Sequence, residues 1–164
     1  MVDQALQAEI RDFLAGKRIA IVGLSSQPQD FSCAILDKLE AADFEVYGVN
    51  PHLQADPDQR RYPDLAAIPG PPVDGVFLTT PPDAALEVVK QCAALGIDRV
   101  WMHQSFGQGS TSAEATAFCR EHGIHVIDRG CPMMFVEPVD IWHRAMRWCK
   151  GMRAVEASRA GAEP

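Results

Sequence analysis

The sequence predicts an α/β fold: a doubly wound, Rossmann-like parallel sheet of five strands with helices on both faces. Three observations lead there. Short apolar runs alternate five times with segments of helical spacing. Each run is nearly continuous in apolar and β-branched residues, as in strands covered on both faces. No internal repeat and no linker divides the chain, so residues 1–152 are expected to form one domain, with 153–164 as a fraying tail poor in apolar groups.

The elements follow in order. Leu6, Ile10, Phe13 and Leu14 recur at helical spacing within residues 3–15, and Gly16 ends that helix. IAIVG (19–23) is the first strand, and 24–31 a loop. A helix is expected over Ser32–Ala42, and FEVYGVN (44–50) is a strand stopped by Pro51. From Pro51 to Pro72 the chain is polar, proline-rich and without sustained periodicity. It reads as a long connection with one helical turn near Asp64–Ala67. VDGVFLT (73–79) is the third strand, and Pro81-Pro82-Asp83 opens a helix carrying Leu86, Val89 and Ala93 inward as far as Gly96. DRVWM (98–102) and HVIDR (125–129) are the last strands, separated by a helix over Ser112–His122. The predicted core runs from 17 to 135, and a final helix over 139–151 bears the stripe Trp142, Ala145, Met146, Cys149.

Composition limits function. Apolar residues at 47% and charged residues at 23% fit a globular chain and exclude disorder. Fifteen Lys and Arg against 22 Asp and Glu give a net charge of −7, which argues against a nucleic-acid partner. No apolar run approaches the roughly 20 residues of a membrane span, and the acidic, amphipathic start does not resemble a signal peptide. Five dispersed cysteines suggest no disulfide framework, so reduced thiols and a cytoplasmic location are expected.

Ligands of doubly wound sheets bind outside the carboxyl ends of the strands, where strand order reverses. After the first strand stands Gly23-Leu24-Ser25-Ser26-Gln27-Pro28, in which Ser25 and Pro28 replace the later glycines of a dinucleotide fingerprint. Such a loop can still offer backbone N–H groups and hydroxyls to a phosphate, or Gly23 can simply permit a turn and a serine cap the helix. After the second strand Asn50-Pro51 lies 27 residues past Gly23. NAD sites place an acid there for the ribose hydroxyl; an amide fits a phosphorylated ribose better, or caps a turn set by Pro51. Thr79, Thr80 and Pro81 follow the third strand, either lining a slot for an adenine or pantetheine arm or capping the next helix. Trp101, His103 and Gln104 follow the fourth, with Ser105, Phe106 and Gly107; Asp128 to Phe135 close the same crevice.

These segments together resemble the small CoA-binding domain proteins, whose fold matches the amino-terminal domain of the succinyl-CoA synthetase alpha subunit. IAIVGLSSQP, FEVYGVNP, RRYPDLAAIP, VDGVFLTTPP and GIDRVWMHQSFGQGSTSAEATAFCREHGIHVIDRGCPMM carry the resemblance, over about Lys17–Phe135. It implies coenzyme A or an acyl-CoA as ligand. Gly23, Leu24, Ser25 and Ser26 would hold the diphosphate, Asn50 and Pro51 would border the adenosine, and Thr79, Thr80 and Pro81 would face the nucleotide. Trp101 and Gln104 would form the far wall. Two departures stand out. Gln29 and Asp30 follow Pro28 where members often carry a basic residue, so compensating charge is expected from Lys17, Arg18, Arg60, Arg61 or Arg129. The phosphorylated histidine of the synthetase lies outside the matching segment, so ligase activity is not implied.

Chemistry beyond binding has few candidates. Cys131 beside Arg129 could act as a thiol nucleophile or redox sensor with His103 as base, or be a buried thiol at a turn. Cys119, His122 and His125 have a zinc-like spacing, but a helix end and a glycine separate them and no fourth ligand follows; no metal is expected. His143, Arg144, Arg147, Lys150 and Arg153 give the last helix a basic face, expected to be solvated. Nothing assembles an acid, a base and an oxyanion site. The sequence therefore predicts a non-catalytic binding or sensing module. A nicotinamide-dependent oxidoreductase and a Cys131 enzyme are the alternatives, and a homodimer through the last helix is a further expectation.

Overall fold

The structure, a computed structural model, describes residues 4–104 and 109–149. Its elements are α1 (Gln4–Ala15), β1 (Arg18–Val22), α2 (Phe31–Ala41), β2 (Glu45–Val49), β3 (Arg61–Tyr62), β4 (Gly75–Leu78), α3 (Ala85–Leu95), β5 (Arg99–Met102), α4 (Ala113–Glu121), β6 (His125–Ile127) and α5 (Ile141–Cys149). Two short 3-10 turns cover Leu65–Ala67 and Pro132–Met134.

All pairings are parallel, in the order β3-β2-β1-β4-β5-β6. The sheet thus has six strands rather than five. The added one, β3, is a two-residue pairing of Arg61 and Tyr62 with Gly48 and Val49 inside the proline-rich connection. Two residues are too few to leave a periodicity in the sequence, and neighbouring backbone rather than side-chain pattern creates the strand.

Side chains leave each strand alternately on opposite faces, and this divides the core in two. Ala20, Val22, Tyr47, Val49, Val76, Leu78, Val100 and Met102 pack beneath α3 and α4. Ile19, Ile21, Val46, Phe77 and Trp101 pack against α1 and α2, where Leu6, Ile10, Phe13, Ile35 and Leu39 meet them. The helices start and stop for local reasons. Asp30 caps α2 by accepting from Ser32 N–H, and Ser112 caps α4 by accepting from Ala115 N–H. Gly96 ends α3 in the left-handed region at φ 72°.

The chain runs outward from β1 to β2 and β3, then returns to place β4 against the other side of β1. Strand order therefore reverses between β1 and β4, and the loops after these two strands flank the switch point.

The last helix differs from the sequence reading at its basic face. Of its apolar stripe only Met146 packs on the body; Trp142, Ala145 and Cys149 face solvent. Arg147 and His143, assigned above to a solvated basic face, are instead half-buried. The Arg147 guanidinium donates to the Met134 carbonyl at 3.0 Å, and that polar anchor, rather than apolar burial, sets which side of α5 turns inward. Lys150, Arg153 and the tail lie outside the described residues.

Candidate ligand-binding crevice

Gly23 shapes the switch point. Its φ is +98°, and a Cβ placed there would lie 2.8 Å from the Thr80 nitrogen and 2.9 Å from Thr79 Oγ1. Glycine therefore serves the close crossing of the β1 loop over the end of β4, and the left-handed backbone that makes it possible. Thr79 completes the junction by donating both its N–H and its hydroxyl to the Val22 carbonyl, at 2.9 and 3.1 Å.

Most main-chain donors of the Gly23–Ser26 loop are spent internally. Gly23 and Leu24 N–H donate to the Val49 carbonyl, Ser25 N–H to Ser32 Oγ, and Gln27 N–H to Ser25 Oγ. Ser26 is exposed and its N–H has no internal acceptor among the described residues. Asp30 sits at the mouth of α2, accepting from both the N–H and the hydroxyl of Ser32, and these bonds hold its carboxyl below the ordinary value of 3.8. A charged carboxylate thus already occupies the anion-favouring end of this helix.

Asn50 braces two loops. Its amide nitrogen donates to the Leu24 carbonyl and its amide oxygen accepts from His52 N–H, both at 2.9 Å. The adjacent Pro51 is exposed. Leu24 and Trp101 lie in the core at 2% and 0% exposure. The Trp101 ring meets Phe13 and Phe77 edge-on, and its indole N–H donates to the Arg129 carbonyl at 3.1 Å. From this strand end it is His103, not Trp101, that stands at the crevice. Gln104 pairs through its N–H with the Gly130 carbonyl, and Ser105, Phe106 and Gly107 lie outside the described residues.

A cavity of about 380 Å³ opens beside the switch point, lined by Phe31, Thr79, Thr80, Pro81, His103, Gly109 and Ser110. A second of about 580 Å³ continues its walls from Pro82 and Thr111. The Phe31 ring, 43% exposed, lies 4.1 Å from the His103 ring, which is itself 5% exposed. Thr80 Oγ1 is buried and has no hydrogen-bond partner among the described residues. Buried hydroxyls are nearly always satisfied, so this one marks a position where a ligand or water would complete the structure. Phe31 was missed from sequence: an aromatic residue at the start of a helix signals core packing as readily as a rim platform.

The cations sort by position. Lys17 and Arg18 stand at the amino end of β1, away from the crevice, and Arg18 is held by Tyr47, Pro69 and Glu45. Arg129 pairs with Asp128, and both line a separate groove beside β6 and α1. Arg61 differs: its side chain crosses Gly48 next to Leu24, its charge is felt by Cys33 in the first turn of α2, and it joins no ion pair among the described residues.

Among the thiols, Cys92, Cys119 and Cys131 are buried, whereas Cys33 is half-buried and Cys149 exposed. Cys131 is 3% exposed. Burial pushes the Cys92 thiol up to about 12 and that of Cys119 to about 11. His122 caps α4 and stacks on Phe118 while His125 points to solvent, and no cluster of three metal-ligating side chains occurs among the described residues.

Doubly wound sheets hold their ligands at the switch point, where this one opens its cavity. Comparison with known proteins gives the family: residues 17–137 match the family model of the CoA binding domain, and the chain belongs to that family. Among solved structures, it is similar to a hypothetical protein from Pyrococcus horikoshii OT3, with 27% identity, a TM-score of 0.68, and coverage of 79% of this chain and 89% of that one. A conserved hypothetical protein from Pyrococcus furiosus shares 29% identity at a TM-score of 0.60, over 70% of this chain and 94% of that one. The apo form of the dinucleotide forming acetyl-coenzyme A synthetase 1 of Ca. Korarchaeum cryptofilum shares 25% identity at a TM-score of 0.54, over 67% of this chain but 25% of its own.

Proposed function

We propose that the chain binds coenzyme A or an acyl-CoA across the carboxyl ends of β1, β2 and β4, as a binding or sensing module without catalysis of its own. The observation that carries the reading is the buried Thr80 hydroxyl, which lacks a partner among the described residues, beside the switch-point cavity, in a chain of the CoA binding domain family. Thr79, Thr80 and Pro81 form one wall, with His103 and Phe31 opposite. Ser25, Ser26, Asn50 and Pro51 form the rim toward β2, while Gly23, Leu24 and Trp101 support the crevice from below and Gln104 fixes the β5 end. Arg61, whose side chain crosses Gly48 next to Leu24 and donates to the Gln59 carbonyl, would supply the cation that offsets Asp30 as the ligand phosphates approach. An NAD reading fares worse, since Asn50 rather than an acid follows β2.

Thermal unfolding with CoA, acetyl-CoA, NAD and NADP side by side tests this, because a ligand that binds only the native state raises its melting temperature. Shifts with the coenzyme A compounds alone are expected. A shift with NADP alone overturns the reading. Thioester turnover by the purified chain would overturn its non-catalytic part.

A further inference from the structure

We propose that the solvent-facing side of α5 is a self-association surface, occupied by α5 of a second copy of this chain packed antiparallel across a two-fold axis. Ile141 and Trp148 are each 83% exposed and Trp142 is 78% exposed. At 100° per residue these side chains, with Ala145 and Cys149, fall on one continuous arc of the helix. The opposite arc is the one that touches the body, through Met146 and Arg147.

Area argues for an occupant. A tryptophan carries roughly 150–250 Å², so the three large side chains leave on the order of 500 Å² of apolar surface in water. That lies toward the upper end of the patch a typical monomer shows, about 300–600 Å². It is also more than half of the ~800 Å² each partner contributes to a standard interface.

Symmetry argues for a second copy. Ala145 is the central residue of the nine-residue helix, and Trp142 and Trp148 stand three positions to either side of it. A two-fold axis through Ala145 brings the two backbones close at their smallest side chain. It sets Trp142 against Trp148 of the partner subunit and Ile141 against Cys149 of the partner subunit, a self-complementary arrangement. An anionic lipid surface, the other occupant a tryptophan-bearing helix would suit, is disfavoured by the net charge of −7.

Sedimentation velocity of the full chain over a range of concentrations tests the proposal. A concentration-dependent doubling of mass is expected. Ala145→Glu, on an exposed position, should leave a folded monomer whose melting temperature no longer rises with protein concentration. Register is tested by Ile141→Cys: mild oxidation should cross-link it to Cys149 of the partner subunit. The wild-type chain should stay uncross-linked, because its paired Cys149 residues would lie about 12 Å apart along the helices. A wild-type protein that stays monomeric at every concentration overturns the proposal. So does a dimer indifferent to Ala145→Glu, or a monomer that co-floats with phosphatidylserine vesicles through this helix.

Discussion

Replacing Gly23 by alanine separates two reasons for a glycine at the turn after β1. If it only lets a ligand approach the backbone, the substitution weakens binding and leaves folding alone. The structure assigns it a folding role. At φ +98° an L-residue is strained, at about 1–2 kcal/mol. The new methyl would meet the Thr80 nitrogen at 2.8 Å and the Thr79 carbonyl carbon at 3.0 Å. Both are backbone atoms, fixed by the bonds of Thr79 to Val22, so the clash falls in the overpacking range of about 1–3 kcal/mol. The stiffer unfolded chain returns about 0.4–1 kcal/mol. A net loss of about 2–4 kcal/mol is expected, lowering the melting temperature by about 5–15 °C for a domain of this size. Gly96→Ala is the control: its φ is +72° but nothing lies within 4 Å of the added carbon, so it should lose only the strain. Urea unfolding of the two variants without ligand measures the difference. If Gly23→Ala costs less than about 1 kcal/mol, or no more than Gly96→Ala, the crossing of the β1 loop over β4 is not what holds glycine there.

Other outcomes follow from the same contacts. Asp30→Asn keeps a capping oxygen but removes the charge at the mouth of α2; stability at neutral pH should fall by about 0.3–1 kcal/mol while coenzyme A binds about 2–5-fold tighter, measured by calorimetric titration. Thr80→Val removes a buried hydroxyl that has no partner among the described residues. The free protein should hold or gain up to about 1 kcal/mol while its melting shift with coenzyme A shrinks, and a clear destabilisation would mean the hydroxyl is already satisfied. Asp12, Asp30, Asp74 and Asp140 all have carboxyls held below the ordinary 3.8, by Arg99, Ser32, the Arg18 and Lys17 N–H groups, and His143 respectively. A folded-state value below the unfolded one gives stability that is complete above the unfolded pKa and lost as pH falls through the folded one. Urea midpoints should therefore be flat from neutral pH to about 5 and fall below about 4. Asp74→Asn should make that fall shallower.

The doubly wound sheet was legible because buried parallel strands announce themselves as unbroken apolar runs, and IAIV and VFL could be little else. The two-residue β3 was not, since its pairing depends on where β2 leaves an edge. Local chemistry explains the mixed outcome at the crevice. Thr79, Thr80 and Pro81 follow their strand directly and line the cavity at its end. Trp101 ends its strand on the covered face, and residue type alone does not say which face that is. Asp30 looked from sequence like a charge in the wrong place; it is the cap that starts α2. For α5 the stripe was visible but its direction was not, because one guanidinium bonded to a carbonyl decides which side turns inward.

The Asn50 amide has one more consequence. Because a single planar group grips the turn after β1 with one end and the turn after β2 with the other, neither turn shifts without dragging its neighbour. The two turns are thereby tied into one piece, so a ligand bound as proposed above would meet a joined edge on that flank rather than two independent loops.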